Sequence, residues 1–344
     1  MGAEGVTGVV PLEMEKSASL DALKFLTDLV ESDLERVNQV IVERMQSPVS
    51  LIPLLGGHLI ESGGKRLRPM LTLASAKAFG YRGDKHLKLA AAVEFIHTAT
   101  LLHDDVIDQS SMRRGKVAAH VVWGNQPSVL VGDFLFSRAF QLMVECGNLR
   151  ILEVLSNAAA VIAEGEVMQL SVANDTTATE ATYLKVIEAK TAELFAAAAE
   201  VGALVAGHDG TEAAAMRAYG HNLGIAFQLV DDALDYAGSS DEMGKSVGDD
   251  FRDGKITLPI VLAFARGNDA ERVFWRRTME IGKQDDADLT EAIRILRRRE
   301  AIETTLEEAR RYGELAHEAL ASAPRNSVTE ALDGVVDFCI VRTY

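Results

Sequence analysis

Apolar residues recur three and four positions apart along most of the chain, the spacing that places them on one face of an α-helix. The first such stripe, Leu20, Leu23, Leu26, Val30, Leu34, Val37 and Ile41, predicts a long amphipathic helix from Ser17. Residues 1–16 are glycine-rich without a pattern and read as a mobile arm. Ser47-Pro48 opens a second helix, since proline is tolerated in a first helical turn, and Gly63-Gly64 ends it. From about Leu71 helix follows helix, with alanine runs at 90–92, 158–160, 196–199 and 213–215. Alanine has the best helix propensity, and small side chains let helices approach closely. The period-two alternation of strands is not sustained anywhere. The expected fold class is all-α, one helical-bundle domain over 17–344 around a central cavity. The exception is a glycine-punctuated stretch from Gly238 to Lys255, charged with both signs, which reads as a long loop.

Against this apolar background one segment stands out, Leu101-Leu102-His103-Asp104-Asp105-Val106-Ile107-Asp108. Residues four apart share a helix face, so Asp104 and Asp108 stack one turn apart with Asp105 beside them. Gln109-Ser110-Ser111 and Gly115 read as a helix stop. The negative end of the helix dipole there disfavours each carboxylate by roughly 0.3–1 kcal/mol. Such a cluster wants a cation. A second copy, Asp231-Asp232-Ala233-Leu234-Asp235, again precedes a break, at Gly238. One acidic triplet on a helix is more often a solvated face, but two in apolar flanks with basic neighbours point to metal. Asp-Asp-x-x-Asp suits Mg²⁺, which takes one or two carboxylates and fills its shell with water and phosphate oxygens. The basic neighbours are Arg113-Arg114 and the cluster Lys65, Arg66, Arg68. Arginine forks match phosphate oxygens in pairs.

The bulk numbers narrow the field further. Of 344 residues 48% are hydrophobic and 25% charged, ordinary for a globular protein. A formal net charge of -16 argues against a nucleic-acid surface but leaves room for a phosphate substrate held through metal. Cys146 and Cys339 are the only cysteines and read as buried free thiols in a reducing compartment. The N-terminus lacks a secretory pattern and no apolar run reaches 18 residues, so the expected location is cytoplasmic, with no transmembrane segment. Neither zinc-ligand spacing, a Walker loop nor a dinucleotide fingerprint occurs.

Several motifs together resemble the trans-polyprenyl diphosphate synthase family, from about residue 17 to the end. They are Gly-Gly-Lys-Arg-Leu-Arg-Pro at 63–69, Phe95 to His103 leading into Asp104, Arg113-Arg114-Gly115-Lys116, Lys190-Thr191-Ala192, Phe227-Gln228-Leu229-Val230-Asp231-Asp232, Gly244-Lys245-Ser246 and Gly254-Lys255. The resemblance implies the isoprenoid synthase bundle, a homodimer, and head-to-tail elongation of an allylic diphosphate by isopentenyl diphosphate. It implies that Asp104, Asp108, Asp231, Asp232 and Asp235 bind Mg²⁺, with Asp105 supporting them. Lys65, Arg68, His97 and Arg114 would hold isopentenyl diphosphate, and Arg113, Lys190, Thr191, Gln228, Lys245 and Lys255 the allylic diphosphate. Asp104, Asp105, Asp108, Arg113, Lys190 and Asp231 would form the catalytic set. His97 on its own would read as a core histidine, and Lys190-Thr191 as a snorkelling cation beside a polar residue.

Product length is read from the turns preceding Asp104. Ala99 and Thr100, then Ile96 and Ala92, lack the bulky aromatic that forms a floor in short-chain members, and Phe95 lies off the aspartate face. Each opened turn deepens the cavity by roughly 5 Å, about one isoprene unit. The expected product is C40–C50, as for a ubiquinone side chain. The alternatives are a C15–C20 synthase or a class I terpene cyclase. A cyclase needs no site for a second diphosphate and usually carries a different second metal motif. A non-catalytic partner subunit typically loses aspartates that are intact here.

Overall fold

The buried residues of the computed structural model, which describes residues 12–61, 64–113, 115–237 and 247–341, fall into two hydrophobic clusters that share two helices. The first gathers α1 (Leu12–Met45), α2 (Leu51–Glu61), α3 (Leu67–Ala78), α4 (Lys85–Ile107), α5 (Ala119–Trp123), α6 (Asn125–Glu145), α7 (Leu149–Val172), α9 (Glu193–Val205) and the C-terminal α16 (Ser327–Val341). The second gathers α8 (Glu180–Ile187), α11 (Asp249–Arg252), α12 (Leu258–Arg266), α13 (Asp269–Trp275), α14 (Asp288–Arg298) and α15 (Ala301–Ala319), whose Ala316 also packs into the first. Helix α10 (Thr211–Ala237) runs through both, with Met216, Tyr219 and Leu223 in the first and Leu229, Val230 and Tyr236 in the second. Its acidic C-terminal turn therefore lies on the second cluster, while that of α4 lies on the first.

The all-α expectation holds. The strand content among the described residues is one hairpin, β1 (Met112–Arg113) against β2 (Lys116–Val117), turned at Gly115 with φ 76°. Within the stripe on α1, Leu26, Val30, Val37 and Ile41 are at 1% exposure or less, and Leu23 and Leu34 are half-buried against the same core. That helix begins at Leu12 rather than Ser17. Leu12-Glu13-Met14-Glu15-Lys16 contains only good helix formers, so nothing stops propagation back towards Pro11. Residues 1–11 of the expected arm lie outside the described residues. Helix α2 starts at Leu51, after the turn holding Ser47 and Pro48, and it is Pro53 that occupies its first turn.

Helix α9 explains the alanines. Every side chain from Glu193 to Leu204 is buried, the signature of a helix enclosed on all sides. Thr72 and Ser75 of α3 donate hydroxyl hydrogen bonds to the Ala198 and Ala199 carbonyls at 2.9 and 2.7 Å. On the other side Gly220 of α10 sits where a Cβ would clash with the Phe195 carbonyl oxygen. Two buried acids of α9 meet two cations: Arg217 reaches Glu193 at 2.8 Å and Glu200 at 3.0 Å, and Arg150 reaches Glu200 at 3.4 Å. Cys146 and Cys339 are both buried, and neither forms a disulfide. No helix among the described residues is long and apolar enough to cross a membrane.

Candidate active site

Helix α4 ends where its sequence says it should: Asp108 is the C-cap, its N–H still bonded to the Asp104 carbonyl at 2.7 Å, and Gln109 turns away with φ 53°. Asp104 and Asp105 are nevertheless buried, at 9% and 1% exposure. Asp105 diverges from its neighbours to the hairpin, where Arg113 Nε donates to Oδ1 at 2.8 Å. The hairpin thus brings Arg113 back against the helix end. Burial pushes the Asp104 carboxyl up to about 7; Glu166 and Asp108 add repulsion, and Lys190 and Arg113 oppose it.

Opposite this helix end the chain between α8 and α9 widens into a π-helical turn, Glu188–Ala192, a distortion often found at functional sites. It carries Lys190 and Thr191. Lys190 Nζ lies 3.6 Å from Asp104 Oδ2 and 2.8 Å from Glu166 Oε2 of α7. The approach of α7 depends on Gly165, where a Cβ would meet Ala189 Cβ at 2.8 Å and the Lys190 N at 3.0 Å. Thr191 points the other way. Its hydroxyl donates to Gln228 Oε1 at 3.0 Å, and Gln228 Nε2 donates to Asp232 Oδ1 at 2.7 Å. Tyr183 of α8 donates to the other oxygen of Asp232. One π turn therefore touches both aspartate motifs.

A second bridge runs through the loop after α10. The backbone N–H groups of Asp249 and Asp250 donate to the two oxygens of Asp235 at 3.2 and 3.1 Å, folding the loop back so that Lys255 Nζ lies 3.7 Å from Asp108 Oδ2. Part of the expected loop is thus α11, because Asp235 holds the two N–H groups that start this helix. Burial, then the nearby Asp250, pushes Asp235 up to about 7 and holds Asp232 well above the carboxylate range. Burial also lowers the charge preference of Lys255, yet Asp250, Asp253 and Asp108 outweigh it and raise its pKa.

Behind Asp104 on the same helix lies a basic corner. Arg68 NH1 is 3.3 Å from His97 Nε2, with the guanidinium stacked 4.3 Å above the Phe195 ring. Lys65 Nζ stands 4.7 Å over the Phe338 ring of α16. Below the aspartates Ala92, Ile96 and Ala99 have no exposure, and Thr100 returns its hydroxyl to the His97 carbonyl at 2.8 Å. Arg114 and Lys245 lie outside the described residues. Glu166 and Tyr183 are contributors that sequence reasoning passed over. The one usable signal was Glu166 itself, an acid set between Gly165 and the apolar pair Val167-Met168.

The donor set fits a hard divalent cation. It is all oxygen, it is crowded with like charge, and Asp105 Oδ2 and Glu166 Oε1 are buried without a hydrogen-bond partner. No three His, Cys, Asp or Glu side chains among the described residues already surround one point, so a bound cation would draw its remaining ligands from phosphate and water.

The sequence profile of the polyprenyl synthetase family matches residues 51–296. The octaprenyl diphosphate synthase of Escherichia coli strain K12 is 43% identical over 320 residues, covering 93% of this chain and 99% of that protein. Among solved structures, a polyprenyl synthase from Caulobacter crescentus CB15, complexed with calcium and isoprenyl diphosphate, superposes with a TM-score of 0.90 at 53% identity over 94% of this chain and 98% of that one. A decaprenyl diphosphate synthase from Rhodobacter capsulatus gives 0.90 at 50% identity over 94% and 99%. With a core of helices delivering two aspartate clusters to one polar seam, the chain belongs to the polyprenyl synthetase family. It is a prenyltransferase of the all-α isoprenoid synthase fold, and that family uses a divalent metal with its isopentenyl and allylic diphosphate substrates.

Proposed function

We propose that the chain is a long-chain trans-polyprenyl diphosphate synthase that adds isopentenyl units head-to-tail to a farnesyl- or geranyl-type diphosphate and releases a C40–C50 product, destined for a ubiquinone side chain. The observation that carries this reading is the double bridge between the aspartate motifs, Lys190 to Asp104 on one side and Thr191 through Gln228 to Asp232 on the other. Relatives with octaprenyl and decaprenyl products support the length, as does the small Ala99, in place of a bulky aromatic, in the turn before Asp104.

In this reading Asp104, Asp108, Asp231, Asp232 and Asp235 hold Mg²⁺, with Asp105 fixing the hairpin through Arg113. Hydrogen bonds to Asp232 and Asp235 orient those carboxylates and leave lone pairs on each oxygen. Bound Mg²⁺ supplies charge neutralisation to the departing diphosphate. Arg113, Lys190, Thr191, Gln228, Lys245 and Lys255 grip that diphosphate and stabilise the negative charge that grows on it as the allylic carbon–oxygen bond breaks. Lys65, Arg68, His97 and Arg114 hold isopentenyl diphosphate so that its double bond meets the allylic cation, and the proton then lost passes to the released diphosphate. No protein nucleophile is required. The enzyme works in the cytoplasm as a homodimer, paired through apolar residues left exposed on one side of α6: Leu130 at 66%, Phe140 at 41% and Val144 at 62%.

The test is direct. Purified protein incubated with Mg²⁺, isopentenyl diphosphate and farnesyl or geranyl diphosphate yields C40–C50 chains by chromatography. No elongation with any allylic primer overturns the assignment.

A further inference from the structure

The segment entering α3 carries three cations, Lys65, Arg66 and Arg68, and their surroundings differ. Arg66 lies in the left-handed region with φ 49°, a conformation that a non-glycine residue keeps only where its surroundings enforce it. Its guanidinium pairs with the carboxylate of Glu94 on α4, a residue at 6% exposure. Three positions further along the same helix, His97 meets Arg68 at 3.3 Å. One face of α4 thus grips residues 66 and 68 in parallel, through side chains that share a helix face. Lys65 and Arg68 flank the enforced turn on either side.

We infer that Glu94 is a positioning residue for the isopentenyl diphosphate subsite: by pairing with Arg66 in its left-handed turn it sets the path of residues 64–68 and aims Lys65 and Arg68. This rests on the assignment of Lys65, Arg68 and His97 above. The inference separates from a purely electrostatic role by sign. Glu94 contributes negative charge near a diphosphate subsite, so its neutralisation would tighten diphosphate binding if charge alone mattered. Positioning requires the opposite, because a displaced cation pair loses the geometry on which affinity depends.

The experiment titrates isopentenyl diphosphate calorimetrically, without primer, into wild-type protein and the variants Glu94→Gln, Arg66→Gly and Arg66→Gly/Glu94→Gln, and follows with steady-state kinetics on each substrate. Glycine takes positive φ at no steric cost, so Arg66→Gly removes the pair without adding backbone strain. The double variant removes both charges of the pair, which keeps the test readable if Glu94→Gln alone fails to fold. Each single variant weakens isopentenyl diphosphate binding and raises its KM on the order of tenfold, the double variant is no worse than either, and KM for the allylic primer changes by less than about twofold. Unchanged or tighter isopentenyl diphosphate binding in the variants, or a double variant showing the product of the two single effects, overturns the inference. A wild-type chain that neither binds nor adds isopentenyl diphosphate overturns the functional reading itself.

Discussion

At the scale of single residues, what could be read from sequence was incongruity. Asp104, Asp105, Asp108, Asp231, Asp232 and Asp235 stand out because charge in an apolar helix end is costly unless something answers it. Lys190, held in place by Glu166, and Tyr183 answer part of it, yet Glu166 and Tyr183 lie 24 and 49 positions from the partners they hold, Lys190 and Asp232. No local pattern records a contact of that range. Arg66 illustrates the same limit from the other side: it read as one more phosphate-binding cation, and its pairing with Glu94 comes from packing across 28 positions. Ala99, by contrast, is a residue whose meaning is local size. It is fully buried on the face of α4 below the aspartates, and under the functional reading a phenyl ring there blocks the path of the growing chain. Ala99→Phe is expected to move the product below C40, read by chromatography of the dephosphorylated alcohols, at a stability cost of about 1–3 kcal/mol for the added bulk.

At the scale of elements, helix identity followed from period and boundaries followed less well. Both aspartate helices end within the turn their breaks predicted, whereas α1 and α2 begin at Leu12 and Leu51 rather than at Ser17 and Ser47. Starts are set by which residues a helix can recruit, and that depends on what it packs against. The π turn at Glu188–Ala192 was illegible, since widening one turn leaves the apolar period on either side unchanged. Its place is set by close packing on two sides, Gly165 of α7 and Gly224 of α10. Gly224→Val would place a side chain 2.6 Å from the Ala192 Cα, a backbone atom that cannot yield as a flexible side-chain tip can. The expected result is a loss of about 1–3 kcal/mol in chemical denaturation. Pyrophosphate binding in the presence of Mg²⁺ should weaken as well, because Thr191 and Gln228 no longer meet.

At the scale of the whole molecule, the last helix is tied down by a charge cluster remote from the aspartates. His317 of α15 reaches Asp333 Oδ1 and, at 3.3 Å, Asp337 Oδ1, both on α16. Hydrogen bonding to Asp337 outweighs partial burial and, with Asp333, lifts the imidazole from its ordinary 6.5 to about 9. A raised folded-state pKa means the stabilisation is fully present below about pH 6 and is lost as pH rises through about 9. The melting temperature of His317→Gln is therefore expected to fall furthest below wild type near pH 6 and to converge with it by about pH 10, measured by scanning fluorimetry. The same helix carries Phe338 beneath Lys65, so its docking also reaches the basic corner. By itself the sequence determined the helical class, the positions of both acidic helix ends and the kinds of ligand they suit, because hydrophobic period and misplaced charge are local and survive in one dimension. Only the tertiary structure decided that α10 joins two cores, that one π turn touches both motifs, and which cation serves a carboxylate and which stands beside a ring. Those depend on contacts between residues far apart in the chain, which are settled by burial and close packing.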